Sequence, residues 1–188
     1  MRTTVNACAR CTTTNHPSTR FCSGCGLPLG AAQADIGAAL DALGPYEAPE
    51  PADPDVTRAI RDLVARSGFE ATAAGHGWRL VVPLQLDRRQ AVYIGYNGVD
   101  PAGRSIVSLV SICGTANDRD PRILLKMNAR IVEGHFAIKI LRGEEYFVVI
   151  QNLALEAADQ TNAAGLVARI AATADDLEDR LTRGRDLF

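Results

Sequence analysis

The sequence lacks a long apolar run, because no stretch of about 18 residues is apolar enough to form a membrane-spanning helix. The first residues, MRTTVNACARC, also lack the apolar core of a secretory signal peptide. We therefore expect a cytoplasmic protein without membrane association. Apolar residues make up 47% of the chain and charged residues 22%, which is ordinary for a globular protein that buries a core.

Charge of one sign is missing from two neighbouring stretches, although the net charge of the chain is only −2. Residues 1–30 contain no acid and three bases, namely Arg2, Arg10 and Arg20. Residues 31–55 contain no base and six acids, namely Asp35, Asp41, Glu47, Glu50, Asp53 and Asp55. The first stretch is too weakly basic for tight binding to a phosphate backbone, which argues against nucleic acid as the main partner.

Four of the five cysteines form two C-x-x-C pairs. In a reducing compartment this spacing favours metal or redox chemistry over a disulfide framework. Four thiolates presented by two tight turns match the tetrahedral coordination that Zn²⁺ prefers. We predict that Cys8, Cys11, Cys22 and Cys25 hold one structural zinc ion, and that residues 1–30 fold around it as a small zinc ribbon.

A redox role fits the cysteines less well, because both pairs lie in polar or glycine-rich segments and not at the start of a helix that follows a strand. His16 is expected to be a loop residue, since four cysteines already fill the site. The segment Phe21-Cys22-Ser23-Gly24-Cys25-Gly26-Leu27-Pro28-Leu29 resembles bacterial zinc-ribbon modules. That resemblance implies metal binding and a docking or nucleic-acid role, without indicating which.

Residues 31–52 form an acidic segment that is rich in alanine and proline. Such a composition buries too little apolar area to offset the entropy of ordering the chain. We predict an extended, solvated linker between the ribbon and a second domain, residues 53–188.

The pattern of the second domain predicts an α+β fold with an antiparallel sheet. Asp53 and Pro54 are typical of a helix start, and apolar residues then recur at helical spacing at Val56, Ile60, Leu63 and Val64. Alternating apolar residues predict strands at 78–82, 92–96 and 106–112, joined by turns that require antiparallel neighbours. A helix from residue 121, a hairpin over 136–150 and a final helix over 159–182 complete the order α-β-β-β-α-β-β-α.

The second domain contains no recognisable set of catalytic groups. His76 and His135 stand beside glycines in predicted turns, outside any nucleophile or acid/base motif. Glu144-Glu145 and Asp175-Asp176 are expected to be solvated, and Cys113 to be a small buried hydrophobe.

Two interpretations remain open for Arg88, Arg89 and Arg104. They line one end of the sheet and bind an acidic group, or they are exposed charges at strand ends. No G-x-G-x-x-G or Walker sequence is present to bind a nucleotide phosphate. We therefore expect no enzymatic activity, since an enzyme needs a convergent pocket of titratable groups.

Several soft motifs of the second domain are similar to the YbjN and type III secretion chaperone-like group. They are Arg88-Arg89-Gln90-Ala91-Val92, Gly103-Arg104-Ser105-Ile106-Val107, and Leu124-Leu125-Lys126-Met127-Asn128 followed by Gly134 and Phe136-Ala137-Ile138. The similarity implies a compact α+β domain that dimerises and binds peptide segments of other proteins without catalysis.

A sheet covered by helices on one face leaves its other face or an edge strand for a second copy or an extended peptide. Tyr93, Val107 and Leu109 alternate out of phase with the predicted inward residues and are candidates for the exposed face. The sequence thus predicts a non-enzymatic, zinc-binding, chaperone-like or adaptor protein that forms a homodimer and binds a partner polypeptide through its α+β domain. The alternative is a zinc-ribbon regulator that contacts nucleic acid through its three arginines.

Overall fold

In the computed structural model of the protein, the described residues are 6–7, 12–16, 48–51, 53–116, 121–141 and 143–183. By internal contacts the chain divides into two compact units, Gly44–Asp176 and a unit that combines Met1–Leu43 with Leu177–Phe188. The main sheet belongs to the first unit. The predicted domain boundaries at residues 30 and 52 lie outside the described residues.

The first helix of the described residues, α1 (Pro54–Ser67), begins where Asp53 and Pro54 predict. The side chain of Asp53 accepts a hydrogen bond of 2.8 Å from the backbone N–H of Asp55, which satisfies a donor that has no partner within the helix. Gly68 ends the helix in the left-handed conformation, with a φ of 71°. The apolar face that the spacing predicts is buried, namely Val56, Ile60, Leu63 and Val64.

Replacing the capping residue tests how much this helix start contributes to stability. We expect Asp53→Ala to lower the free energy of unfolding by about 1 kcal/mol, because alanine has no side-chain acceptor for the N–H of Asp55. Urea denaturation followed by circular dichroism measures the change. Asp53→Asn keeps an acceptor oxygen and should stay close to the wild type, so equal losses in both variants would contradict the capping role.

Two short strands near the start of the chain, β1 (Asn6–Ala7) and β2 (Thr14–Asn15), pair with each other. The main sheet in the described part of the chain has six strands, namely β3 (Glu70–Ala74), β4 (Gly77–Pro83), β5 (Arg89–Val99), β6 (Ser105–Thr115), β7 (His135–Leu141) and β8 (Glu144–Ala154). All are antiparallel, in the order β3-β4-β5-β6-β8-β7 across the sheet. The predicted α+β class and antiparallel sheet are confirmed. The predicted order of elements, α-β-β-β-α-β-β-α, is incomplete, because it lacks β3, which precedes the first predicted strand, and a short helix at Leu155–Ala158. The sequence of β3, Glu-Ala-Thr-Ala-Ala, has almost none of the β-branched and aromatic residues that mark a strand.

The central strands are buried on both faces of the sheet. The register pairs Ile94 with Leu109 and Tyr93 with Val110, so these two pairs lie on opposite faces. All four side chains are buried, and so is Val107. The prediction that Tyr93, Val107 and Leu109 form one exposed face is therefore wrong. Alternation shows which residues of one strand share a face, but it does not show whether that face is covered.

The described part of the chain has three further α-helices, namely α2 (Arg122–Asn128) between β6 and β7, and α3 (Leu155–Ala158) and α4 (Ala163–Arg183) after β8. The final helix, predicted over 159–182, thus begins four residues later, at Ala163. Asn162 explains the new start of α4, because its side chain accepts a hydrogen bond of 3.0 Å from the backbone N–H of Gly165. The guanidinium of Arg66 on α1 donates to the backbone oxygens of Ala158 and Asp159, at 2.9 and 2.7 Å, and so ties α1 to the end of α3.

One described residue of the predicted linker packs on the sheet. Ala48 is buried, and a Cβ built on Gly95 of β5 would come within 2.5 Å of the Ala48 Cβ. Only glycine at position 95 leaves room for this approach. The end of the acidic segment is therefore not fully solvated, contrary to what its composition suggests.

Candidate peptide-binding edge of the sheet

Strand β7 forms one edge of the sheet, because in the described part of the chain it pairs with β8 on one side only. Its seven residues run in register with β8 from His135 opposite Ile150 to Leu141 opposite Glu144. Edge strands present backbone N–H and C=O groups that another chain can pair with. The direction of those groups decides what this edge offers to a partner.

The side chain of Asn128, at the end of α2, fixes the direction of the β7 backbone. It donates a hydrogen bond of 3.0 Å to the backbone oxygen of Phe136 and accepts one of 2.7 Å from the backbone N–H of the same residue. Both backbone groups of Phe136 therefore point away from β8. Since this direction alternates along an antiparallel strand, the backbone groups of Ile138 and Ile140 also point outward.

The side chains at these two positions are exposed as well. Ile138 is 39% exposed and Ile140 is 70% exposed. Two further apolar residues in the same part of the chain are exposed, Leu125 at 69% and Val132 at 96%. Leu125 belongs to α2, which packs against β7. Single exposed apolar residues are common, but Ile138 and Ile140 lie two residues apart on one edge strand, and neighbouring exposed apolar side chains can mark an interaction site.

Lys139 lies between the two isoleucines and its side chain is on the opposite face of β7. It faces Tyr146 of β8. Burial lowers the pKa of Lys139, because the charged form loses hydration there. Burial also raises the pKa of Tyr146, helped by the 3.1 Å hydrogen bond that its hydroxyl donates to Glu144. The edge therefore carries a partly desolvated positive charge.

The other edge of the sheet has different chemistry. Strand β3 (Glu70–Ala74) carries one glutamate, one threonine and three alanines. This strand has no large apolar side chain that could pack against an added strand. Of the two edges, β7 is therefore the better candidate for a binding site.

The cysteines predicted to bind zinc lie outside the described residues. Nearby, β1 (Asn6–Ala7) pairs with β2 (Thr14–Asn15), with Ala7 opposite Thr14. The two paired strands lie on either side of Cys8 and Cys11 in the sequence. Within the described ranges, no three His, Cys, Asp or Glu side chains are grouped so that they could hold a metal.

The arginines that were candidates for an acid-binding group are not brought together. Arg88 precedes β5 and forms an ion pair of 2.7 Å with Asp175 of α4, whereas Arg104 follows the other end of β5 and pairs at 2.7 Å with Asp100. An eleven-residue strand is about 35 Å long. The interpretation that they line one end of the sheet is wrong, because Arg104 lies at the far end of this strand from Arg88 and Arg89. The other interpretation, exposed charges at strand ends, agrees with the structure, in which all three arginines are exposed.

The remaining candidates take ordinary positions. His76 lies in the turn between β3 and β4 as predicted, whereas His135 is the first residue of β7 and not a turn residue. Both are exposed, and so are Glu144 and Glu145 in the β7–β8 hairpin. The expectation that Cys113 is buried is confirmed. Asp175 differs from the prediction, because its ion pair with Arg88 leaves its side chain only 14% exposed and not solvated.

Comparison with known proteins finds no match, since no family model, no curated protein and no solved structure is similar to this chain. The similarity to the YbjN and type III secretion chaperone-like group therefore stays a prediction. Among the described helices, none is long and apolar enough to span a membrane. The β7 edge is the feature of the described residues that best indicates a function.

Proposed function

We propose that the protein is a non-enzymatic peptide-binding protein, whose sheet accepts an extended segment of a partner polypeptide as an additional strand on β7. The observation that carries the proposal is the edge itself. The backbone groups of Ile138 and Ile140 point outward while their side chains remain exposed. Strand addition takes its affinity from such main-chain hydrogen bonds and its specificity from the neighbouring side chains.

The remaining features of the edge suit a short partner strand. Proteins shield free edges with short strands, charged residues or covering groups, because an open edge promotes aggregation. Here the side chain of Asn128 hydrogen-bonds to both backbone groups of Phe136, and Lys139 places a charge in the middle of the strand. The outward backbone groups of Ile138 and Ile140, two residues apart, are then the positions at which a partner strand can pair. This arrangement limits uncontrolled self-association and still allows a specific strand to pair.

The polar side chains of the second domain fit a binding role better than a catalytic one. Arg88 and Arg104 are engaged in separate ion pairs, at 2.7 Å each, near opposite ends of β5. Tyr146 and Glu144 contact each other near the β7–β8 hairpin, where Glu144 is exposed. Arrangements of this kind hold turns and helices in place and do not form an enclosed pocket for a reacting group.

Proline at position 140 tests the proposal, because it removes the outward N–H and leaves the hydrogen bonds to β8 in place. Peptides are selected on the full-length wild-type chain from a phage-displayed library and measured by fluorescence anisotropy. We expect Ile140→Pro to bind these peptides at least about tenfold more weakly than the wild type, because one hydrogen bond is lost and a peptide carbonyl remains unpaired.

Ile140→Thr is the matched control, because it shortens the same side chain and keeps the backbone N–H. It should bind the selected peptides within about threefold of the wild type, consistent with the loss of a small exposed apolar contact. Equal binding by the proline variant and the wild type would refute strand addition at β7. A library that yields no binding sequence would refute peptide binding altogether.

A further inference from the structure

We infer, on the basis of the proposed function, that the strand added to β7 runs antiparallel to it and carries two apolar side chains two residues apart. One lies opposite Ile138 and the other opposite Ile140, and the side chain of Asn128 fixes this register. The residue between them projects to the other face of the sheet and is not specified. The partner is therefore an extended apolar-x-apolar segment, in which x is any residue compatible with a strand.

Asn128 limits how far the added strand can slide along β7. Its side chain donates to the backbone oxygen of Phe136 at 3.0 Å and accepts from the backbone N–H of the same residue at 2.7 Å. Both outward groups of Phe136 are therefore occupied. An incoming strand finds its first hydrogen-bonding position at Ile138 and the next at Ile140, because the outward direction recurs at every second residue. A shift toward Phe136 would lose one of these two positions.

The direction of the added strand follows from the rest of the sheet. All six strands in the described part of the main sheet are antiparallel, and antiparallel pairing is slightly more stable per residue than parallel pairing. In this arrangement Ile138 and Ile140 each exchange two hydrogen bonds with the residue directly opposite, at a Cα separation of about 5.5 Å. Directly opposite residues place their side chains on the same face of the sheet. The two partner side chains therefore lie beside the two isoleucines.

The exposed surface of the isoleucines favours apolar partner residues at these positions. Ile138 is 39% exposed and Ile140 is 70% exposed, whereas Phe136 on the same face of β7 is buried. An apolar side chain beside each isoleucine removes apolar surface from water on both strands. A cross-strand pair of apolar, β-branched residues contributes between about 1.5-fold and fivefold in affinity. Two such pairs give the edge a preference for one spacing of apolar residues.

Two fluorescein-labelled peptides of identical composition test the inference on the full-length chain. Gly-Ser-Val-Ser-Val-Ser-Gly places its valines on one face of a strand, whereas Gly-Ser-Val-Val-Ser-Ser-Gly places them on opposite faces. By fluorescence anisotropy, we expect the first peptide to bind about threefold more tightly, because it makes two apolar cross-strand pairs and the second makes one. The peptides selected from the phage-displayed library should show the same alternation.

Replacing both isoleucines should remove this preference. Ile138→Thr combined with Ile140→Thr keeps every backbone group and a β-branched shape, so we expect the double variant to bind the two peptides within about 1.5-fold of each other. Val99→Thr is the matched control, because it makes a comparable change at an exposed residue of β5. The control should keep the threefold preference. Circular dichroism checks that each variant folds.

Asn128→Ala tests the register separately, because it leaves the outward groups of Phe136 open to a third hydrogen-bonded position. The longer peptide Gly-Ser-Val-Ser-Val-Ser-Val-Ser-Gly should bind this variant about threefold more tightly than the two-valine peptide of alternating sequence. The wild type should bind these two peptides within about twofold, since a third valine adds only a second equivalent register. A purely structural role of Asn128 would leave this ratio unchanged, and equal ratios in both proteins would overturn the register.

The outcomes separate this inference from the proposed function. If the two peptides of identical composition bind equally and both are lost in Ile140→Pro, strand addition stands and the apolar spacing is wrong. Library peptides without the alternation would lead to the same conclusion. If no peptide binds and the library yields none, both fail. A dimer seen by native mass spectrometry that Ile140→Pro dissociates would also overturn the inference, because a second copy would then occupy the edge.

Discussion

Replacing Phe147 with alanine is expected to lower the free energy of unfolding by about 3–5 kcal/mol, which is the usual range when a buried phenylalanine is truncated. Phe147 is fully buried, at 0% exposure, and lies on β8 between its partners Gly114 on β6 and Ile138 on β7. Truncation of a fully buried ring creates a cavity that the surrounding structure can only partly close.

Chemical denaturation of the full-length chain measures this loss, provided that the slope of the transition stays constant between variants. Val99→Ala is the control, because Val99 also lies in a long strand but is 62% exposed. We expect it to change the free energy of unfolding by less than about 0.5 kcal/mol. A loss below about 1.5 kcal/mol in Phe147→Ala would show that β8 does not pass through the centre of a packed core.

Local features of the chain were predictable because they depend on neighbouring residues. The cap at Asp53 and the left-handed Gly68 bracket α1, and helical spacing identifies its buried face. Strand β3 was not predicted, because a segment of mostly alanine has a low propensity for strands. This strand forms through its pairing with β4. The sequence therefore predicts a helix or a strand where local signals such as caps and apolar spacing are strong. Where they are weak, the secondary structure is decided by the strands or helices that the segment packs against.

The candidate site was much harder to predict, because it depends on which strand becomes an edge. Phe136, Ile138 and Ile140 alternate like any half-buried strand, and the sequence gives no sign that the first is covered and the last is 70% exposed. Asn128 bonds to the backbone groups of Phe136, and in the described part of the chain β7 has β8 as its one neighbouring strand. Pairing between strands distant in sequence is a global property, so local patterns cannot identify a free edge.

Replacing two of the paired cysteines is expected to abolish the predicted zinc binding. This is the largest effect that we predict for any substitution. The apparent free energy of binding of a structural zinc ion in a small module is about 10–16 kcal/mol near neutral pH, and it largely replaces a hydrophobic core. A donor set of four thiolates fits such an ion. The pairing of Ala7 with Thr14, on either side of the first C-x-x-C pair, is compatible with this proposal. We expect the doubly substituted chain, Cys22→Ser with Cys25→Ser, to lose the ion and the fold of residues 1–30.

Native mass spectrometry of protein purified under reducing conditions should find one zinc ion per wild-type chain and none in the double variant. Cys113→Ala should retain the ion, because Cys113 is buried in β6 and its thiol lies near the backbone oxygen of Ser111, at 3.8 Å. Thiol titration gives an independent measurement, since a strong chelator should release four rapidly reacting thiols while buried Cys113 reacts slowly. A wild-type chain without metal would refute the zinc site, and a double variant that keeps its ion would show that other residues bind it.

Because the predicted ribbon and the β7 edge involve different residues, loss of zinc should leave peptide binding at β7 largely intact if the sheet folds without the ribbon.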